Sequence, residues 1–197
     1  MNSDQIQDFI DAFSKLPSIG PRQATRLAFY LINSGQERIE ELSGAVNNLK
    51  SAKLCAQCFF AHQNSGVLCN ICENMERQKD VIAVMEKSTD LISMEQSRAF
   101  NGRYFLLGEF KRNGILSPLH KERIATLKSQ AKQIGQFKEI ILALSPTVYG
   151  DINSSLIIEE LKPFAKKISR LARGIPTGGE IEFADEETLK EALRHRE

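Results

Sequence analysis

The sequence lacks a long hydrophobic run and lacks an excess of charge of either sign. No stretch of the 197 residues approaches the roughly 18 apolar residues that a membrane span requires, and no basic segment followed by an apolar run opens the chain. We therefore expect a globular protein of the cytoplasm. The formal net charge is only +1, so a basic surface that binds an acidic partner has to be local.

Cysteine is absent outside one short stretch. Cys55 and Cys58 form one C-x-x-C pair, and Cys69 and Cys72 form a second, with ten residues between the pairs. Two such pairs place four thiolates on two turns, the arrangement that a tetrahedral zinc ion requires. Because the cytoplasm keeps thiols reduced, a metal is favoured over disulfides. The sequence thus predicts a zinc finger with four cysteine ligands.

The three histidines do not suggest a second metal site. His62 lies between the cysteine pairs and is an alternative ligand in place of one cysteine. His120 and His195 have no ligand-like partners at local spacing, and we expect both at the surface.

The first 33 residues predict two helices joined by a tight turn. Apolar residues recur at helical spacing over residues 6–13 and again over residues 24–31. Residues 16–21 between them contain two prolines and a glycine, and Pro21 suits the first position of the second helix. On that helix Arg22 and Arg26 lie four residues apart and project together, away from the apolar stripe.

Arg22 and Arg26 permit two interpretations. Charged residues on a helix usually form a solvated surface. Two guanidinium groups beside a helix N-terminus also form a phosphate site, because the main-chain N–H groups and the helix dipole add to their charge. The turn favours the phosphate site, since its sequence resembles the helix-hairpin-helix motif, which binds the DNA backbone without sequence preference. Ser18 stands where that motif usually has glycine, and Lys15 is a third candidate contact.

A third helix is expected over about residues 36–50, leading to the first cysteine pair. Its apolar residues recur at helical spacing, so they should form one stripe. We expect this stripe to face inward, and its members are Ile39, Leu42, Val46 and Leu49.

After the cysteine pairs, short apolar runs alternate with helical patterns. Strands are predicted at residues 80–85, 103–107, 139–144 and 167–172. Helices are predicted at residues 89–100, 120–134 and 153–162. This alternation implies right-handed crossovers and a mainly parallel sheet with helices on both faces. Ligands and partners of such sheets gather at the C-terminal ends of the strands.

Two carboxylates follow the predicted strands. Glu86 ends the first strand, and Asp151 lies beyond the third. This pattern resembles the Toprim domain, in which such carboxylates hold Mg²⁺ for phosphoryl transfer in topoisomerases, primases and some nucleases. The chemistry needs several carboxylates around the ion, whereas Ser145 and Thr147 stand where an Asp-x-Asp pair is expected. The sequence favours a non-catalytic Toprim domain, and a Mg²⁺-dependent nuclease or primase is the alternative.

The end of the sequence combines a glycine-rich turn with an amphipathic helix. Gly178 and Gly179 are not followed by a lysine and a hydroxyl residue, so they predict a sharp turn rather than a phosphate-binding loop. The final helix starts near Asp185 with acidic residues and ends with basic ones, which suits the helix dipole. Its narrow apolar stripe predicts packing on its own sheet or on another subunit.

Taken in order, these segments resemble the RecR family of bacterial recombination mediators over nearly the whole chain. The resemblance is carried by residues 16–22, 26–29, the four cysteines, 84–90 and 173–179. It implies a multi-domain α/β protein in four parts. These are a helix-hairpin-helix region (1–53), a four-cysteine zinc finger (54–78), a Toprim domain with a mainly parallel sheet (79–175), and a C-terminal glycine-rich turn and helix (176–197) that contacts another subunit.

The resemblance also implies a function without enzymatic turnover. RecR proteins bind single- and double-stranded DNA and form homotetrameric rings that can encircle it. They work with RecO, and in many bacteria with RecF, to load RecA onto single-stranded DNA covered by single-strand-binding protein. Carried over to this chain, Arg22, Arg26 and Lys15 contact DNA, and the cysteines hold zinc.

The Toprim face is where the family engages RecO, and Glu86 and Asp151 belong to that face here. This chain departs from the family pattern at two places on it. The family usually has His-Gly-x-Ile-Ser-Pro where residues 107–110 stand, and Glu-Gly-Glu where residues 149–151 stand. We expect these departures to affect the interface with RecO.

Overall fold

A computed structural model describes residues 4–110, 115–145, 147–194 and 196. The chain divides into two compact units, Met1–Ala52 and Lys53–Glu197, and each is described by itself. The first unit is helical and the second is a mixed α/β structure with a parallel sheet. The fold class predicted from the sequence is therefore confirmed. No helix in the described ranges has both the length and the apolar character needed to cross a membrane.

The helical unit contains three helices: α1 (Asp4–Phe13), α2 (Pro21–Ser34) and α3 (Gln36–Asn48). The buried contact between α1 and α2 joins Ile10 to Ala24 and Ala28. Because alanine side chains are small, the two helices approach closely there. Phe9 and Phe13 stack with ring centroids 3.9 Å apart at the edge of this contact. The predicted pair of helices and its turn are present.

The predicted apolar stripe of α3 is not buried, so the expectation that it faces a core was wrong. None of the α3 residues is buried. The exposed fraction rises along the stripe from 38% at Ile39 to 68% at Leu49. Ile39 and Leu42 line open cavities with Leu31 of α2, so they lie beside that helix without being buried by it. The unit is small, and among the described residues none buries Val46 or Leu49.

The second unit begins with the cysteine segment. Two short strands, β1 (Lys53–Leu54) and β2 (Ala61–His62), pair antiparallel, and the one-turn helix α4 (Asn70–Glu73) carries the second cysteine pair. His62 is not a member of the cysteine cluster; its Nδ1 accepts a hydrogen bond from the main-chain N–H of Asn64 at 3.2 Å.

The main sheet has four parallel strands: β3 (Val81–Met85), β4 (Arg103–Leu106), β5 (Glu139–Ala143) and β6 (Ile168–Arg170). Their spatial order is β4-β3-β5-β6, so β4 forms one edge. In the register, Val84 lies between Phe105 on β4 and Leu142 on β5. All four predicted strands are present, each within three residues of the expected bounds at either end.

Helices pack on both faces of this sheet, as its alternating side chains require. They are α5 (Ser88–Gln96), α6 (Pro118–Ile134) and α7 (Val148–Leu161). The terminal helix α8 (Glu186–Arg194) has no buried residue and contributes to neither apolar cluster of the sheet. Ile82 and Val84 belong to one apolar cluster with residues of α6 and α7, whereas Ala83 and Met85 belong to a second cluster with Leu91 of α5. The two clusters enclose β3 completely.

The expectation that His120 lies at the surface was wrong, because the side chain is 2% exposed. It stacks on Phe110 with ring centroids 4.3 Å apart, and its Nδ1 lies 2.8 Å from the hydroxyl of Ser117, the N-cap of α6. Burial lowers the pKa of His120, which favours the neutral ring. His195 lies outside the described residues.

Candidate metal centre and nucleic-acid interface

The four cysteine thiols meet at one point. All their Sγ atoms lie within 4.8 Å of one another, and those of Cys58 and Cys69 are 3.5 Å apart. A tetrahedral zinc ion with bonds of about 2.3 Å holds its sulfur ligands about 3.8 Å apart. The four residues are 0–3% exposed, as in closed structural sites. The cluster is therefore positioned to bind a metal ion, and its donor set fits zinc.

The surroundings of the thiols support this arrangement. The main-chain N–H of Cys69 donates a hydrogen bond to Sγ of Cys55 at 3.4 Å, which links the two cysteine pairs. The four sulfur atoms are close enough to share hydrogen bonds, so the protonation of each thiol depends on the others. Within the described ranges, no other set of three or more His, Cys, Asp or Glu ligand atoms gathers in this way.

The first cysteine pair is attached to the edge of the main sheet. The main-chain N–H of Leu106 on β4 donates to the carbonyl oxygen of Cys58 at 3.0 Å. Phe59 follows with a positive φ of 63°, and its ring meets Phe105 edge to face at 5.4 Å. From α6, the amide of Gln130 donates to the carbonyl of Gln57 at 2.8 Å. The cysteine segment thus covers part of the free edge of β4.

The conformation of the turn between α1 and α2 shows why helix-hairpin-helix sequences usually have glycine where this chain has Ser18. Ser18 has φ 63°, a left-handed conformation that residues other than glycine adopt at a cost. The N–H of Ile19 donates to the carbonyl of Leu16 at 3.2 Å, which closes a four-residue turn with Pro17 and Ser18 at its centre. Proline followed by a residue of positive φ is the signature of a type II turn. The hairpin is therefore formed despite the serine.

The candidate DNA contacts are available to a ligand. Lys15, Arg22 and Arg26 are exposed, and within the described part of the chain none of them enters an ion pair. The N-cap of α2 is Gly20, which has no side chain to cap the first turn, and that turn has no acidic residue. Its N–H groups and dipole therefore favour an anion beside Arg22.

Glu86 lines an open cavity of about 330 Å³ at the C-terminal ends of β3 and β4. Lys87, Glu109 and Arg123 also contribute to this cavity. Burial raises the pKa of Glu86, while the charge of Lys87 lowers it and the charge of Glu109 raises it. Burial also lowers the pKa of Arg123, whose Nη1 donates to the carbonyl of Leu106 at 2.9 Å. Both charge signs are therefore present on this face.

Asp151 is engaged by two guanidinium groups. Its Oδ1 accepts hydrogen bonds from Nη2 of Arg170 and Nη2 of Arg173, and Arg173 also pairs with Glu187 of α8 at 3.3 Å. Burial raises the pKa of Asp151, but the two arginines outweigh it and hold that pKa below its ordinary value. Asp151 does not line the cavity that contains Glu86. The two predicted carboxylates therefore have different surroundings.

Two features of the α/β unit were missed by sequence reasoning. The first is the ion-pair cluster of Asp151, Arg170 and Arg173, which borders a cavity of about 400 Å³ beside α8. The second is Arg103 on β4, which donates hydrogen bonds to the cysteine segment. Arg173 belongs to the family segment at residues 173–179, but its partner Asp151 lies 22 residues away and no local sequence pattern identifies the pair.

Comparison with known proteins assigns the chain to a family. Three family models match successive parts of it: "RecR, helix-hairpin-helix" at residues 6–50, "Toprim domain" at residues 80–172 and "RecR, C-terminal" at residues 174–197. The order of these matches follows the order predicted from the sequence.

Several full-length relatives agree with these models. A Recombination protein RecR of Clostridium perfringens is 36% identical over 195 residues, covering 97% of this chain and 95% of the relative. One from Synechococcus sp. (strain CC9605) is 40% identical over 192 residues, 95% of this chain and 96% of the relative. One from Rippkaea orientalis is 37% identical over 202 residues, 100% of this chain and 98% of the relative. With the hairpin, the cysteine cluster and the parallel sheet, these likenesses establish that the chain belongs to the RecR family.

Proposed function

We propose that this protein is a DNA-binding recombination mediator that acts in recombinational DNA repair in the cytoplasm. It works with RecO, and with RecF where that protein is present, to load RecA onto single-stranded DNA covered by single-strand-binding protein. The observation that carries the proposal is the first turn of α2, where a helix N-terminus without a side-chain cap lies beside Arg22 and Arg26, both exposed and outside every ion pair of the described residues. The recombination role follows from the names of the relatives.

Phosphate binding at this turn follows from simple electrostatics. Arg22 and Arg26 lie one helical turn apart, so both can reach neighbouring phosphates of one strand. Lys15 comes directly before the hairpin turn and adds a third positive charge. Contacts of this kind neutralise the backbone and carry no sequence information. The protein therefore binds single- and double-stranded DNA without sequence preference.

The metal in this proposal is zinc, and its role is structural. Four thiolates around the ion leave no open position for a substrate, which separates the site from catalytic zinc centres. The cysteine residues hold the ion, and when bound it joins the two cysteine pairs into one rigid segment. Metal analysis of the purified wild-type protein, with about one zinc per chain expected, tests this part.

We further propose that the Toprim domain has no catalytic turnover. A nuclease or primase needs carboxylates that are free to hold Mg²⁺. Asp151 is instead neutralised by Arg170 and Arg173, which supports a binding role for this face. Glu86 and its open cavity remain the part of the face that can meet RecO, and Asp151 acts by fixing the arginines around it.

The decisive experiment is charge reversal on α2. We expect Arg22→Glu with Arg26→Glu to weaken DNA binding by about tenfold or more, because phosphate contacts dominate non-specific affinity. Fluorescence anisotropy with labelled single- and double-stranded DNA measures the effect. If the protein is a homotetramer, about eight such contacts give the wild type a log–log salt slope of several units, and the variant a shallower one.

Lys50→Glu provides the control, because Lys50 is exposed in the same unit and lies outside the hairpin. This variant should bind DNA with an affinity close to that of the wild type. Undiminished DNA binding by the double variant would show that α2 is not part of the DNA interface. An equal loss of affinity in the double variant and in Lys50→Glu would show a general effect of charge.

A further inference from the structure

Arg103 is an interior cation that has no carboxylate partner among the described residues. Its side chain is half-buried at the start of β4, and its Nε is buried without a described hydrogen-bond partner. None of the ion pairs in the described ranges includes it. A charge removed from water in this way is unfavourable unless a nearby negative group compensates it. The neighbouring arginine Arg77 has such a group, because it pairs with Glu95.

The hydrogen bonds of Arg103 point to the missing negative group. Nη1 donates to Oε1 of Gln57 at 3.1 Å, and Nη2 donates to the carbonyl oxygen of Cys72 at 3.3 Å. Gln57 lies between Cys55 and Cys58, whereas Cys72 belongs to the second pair. One guanidinium therefore bridges the two turns that carry the thiols.

The charge of the metal centre matches this position. A divalent ion held by four thiolates carries a net charge of about −2, and this charge is buried because the cysteines are 0–3% exposed. Lys53 is the other cation hydrogen-bonded to the segment in the described structure, through Ser65, and it is exposed. Arg103 is thus the half-buried cation with hydrogen bonds to both cysteine turns.

We propose that Arg103 is a positioning residue of the metal centre, which neutralises part of the tetrathiolate charge and locks both cysteine turns onto β4. Its charge slows the release of the metal, and its fixed fork of N–H groups holds the two turns in register. Outer groups of this kind commonly alter metal affinity by about 10- to 100-fold. The inference rests on the zinc assignment proposed above, which the metal content of the wild type tests separately.

The experiment measures transfer of zinc from the loaded full-length protein to a chromophoric chelator. Arg103→Gln should accelerate release by about tenfold or more, because the compensating charge is lost. Arg103→Lys keeps a positive charge and should stay closer to the wild type than to the glutamine variant. Lys53→Gln removes the exposed cation and should release zinc at the wild-type rate.

A second variant keeps the test decisive if Arg103→Gln does not fold. Gln57→Glu is nearly isosteric, places a competing carboxylate on Arg103 and adds negative charge beside the thiolates, so it should also accelerate release. The thiolate-to-metal absorption of the Co²⁺-substituted proteins reports whether coordination is still tetrahedral. Release at the wild-type rate from Arg103→Gln or Gln57→Glu overturns the proposal, and so does equal acceleration by Arg103→Lys and Arg103→Gln.

Discussion

At the scale of single residues, Ser18 is one of the non-glycine residues that the structure holds in a left-handed backbone conformation. A left-handed conformation costs a residue with a Cβ roughly 1–2 kcal/mol, while glycine loses roughly 0.5–1 kcal/mol through its greater freedom when unfolded. We therefore expect Ser18→Gly to stabilise the hairpin by up to about 1 kcal/mol. Slower hydrogen exchange in α1 and α2 measures the change.

Ser18→Ala serves as the matched control for this prediction. It removes the hydroxyl but keeps the Cβ, so the left-handed strain persists and exchange in α1 and α2 should not become slower. If Ser18→Gly gave no protection, the left-handed backbone would not limit the stability of the turn. If both variants gave the same protection, loss of the hydroxyl would be the cause.

Asp151 gives a second prediction at this scale. Its pKa is lowered in the folded protein, so its stabilising effect is present above the ordinary carboxyl pKa and is lost as pH falls through the lower, folded value. Because Arg173 joins Asp151 to Glu187, we expect Asp151→Asn to loosen α8 at neutral pH. Hydrogen exchange of the α8 amides, corrected for intrinsic rates, measures the effect.

The same measurement separates Asp151 from general effects of acid. In the wild type, protection of α8 should decline as Asp151 is protonated, whereas Asp151→Asn should begin low and show little further decline in that pH range. Glu186→Gln is the control, because it breaks only the exposed pair with Lys190 within α8. Unchanged protection in Asp151→Asn would contradict the role of the ion-pair cluster.

The role of a single residue was predictable from the sequence where neighbouring residues in the chain determine that role. The C-x-x-C spacing indicated the metal cluster, and the proline and glycine positions indicated the turn that exposes Arg22. His120 was not predictable, because its burial depends on Phe110, ten residues away. Arg103 was missed for the same reason, since its bond to Gln57 spans 46 residues.

At the scale of elements, the cysteine segment and β4 depend on each other. The segment is too short to fold alone, and a metal held by four thiolates, as we propose for this cluster, contributes stability on the order of 10 kcal/mol. We expect Cys72→Ser to lose the metal and to lower the melting temperature of the α/β unit by about 10 °C or more. Metal content and hydrogen exchange of the β4 amides, followed on heating, measure these effects.

A conservative change in the same segment controls for disturbance of the loop. Val67 is 67% exposed, so Val67→Ser should keep the metal and the wild-type melting temperature. If Cys72→Ser lost the metal while β4 kept its full protection, the metal would not support the sheet edge, and the proposed structural role of the metal would be wrong.

The position of a helix or strand in the fold was predictable where its own sequence determines which of its faces are buried. The apolar runs of the first three strands indicated buried strands, and the alternation of strands with helices indicated a mainly parallel sheet. The orientation of α3 was not predictable, because an apolar stripe indicates that a surface is to be covered but not which surface covers it. The placement of α8 depended in the same way on arginines outside the helix.

At the scale of the whole molecule, the exposed stripe of α3 bears on assembly. Val46 and Leu49 are 53% and 68% exposed, which is unusual for a row of apolar residues unless another surface covers them. We propose that the chain is a homo-oligomer in which a second copy of the helical unit covers this stripe. Val46→Glu should then lower the oligomeric mass measured by size-exclusion chromatography with light scattering.

The control for this prediction introduces the same charge on the opposite side of α3. Asn48 lies about half a helical turn around from Val46, so Asn48→Glu should leave the mass unchanged. Because a smaller assembly presents fewer arginines to one DNA molecule, Val46→Glu should also reduce the salt slope of DNA binding. An unchanged mass in Val46→Glu would place the contacts between subunits elsewhere.

The hydrogen bond from Leu106 to Cys58 should affect the solubility of the protein when zinc is scarce. Without the cysteine segment, the main-chain N–H and C=O groups of β4 beside Tyr104 and Phe105 would be unpaired. Strands of other molecules could then pair with this edge. Zinc-depleted cells should therefore accumulate this protein as insoluble aggregates rather than as a soluble, weakened form.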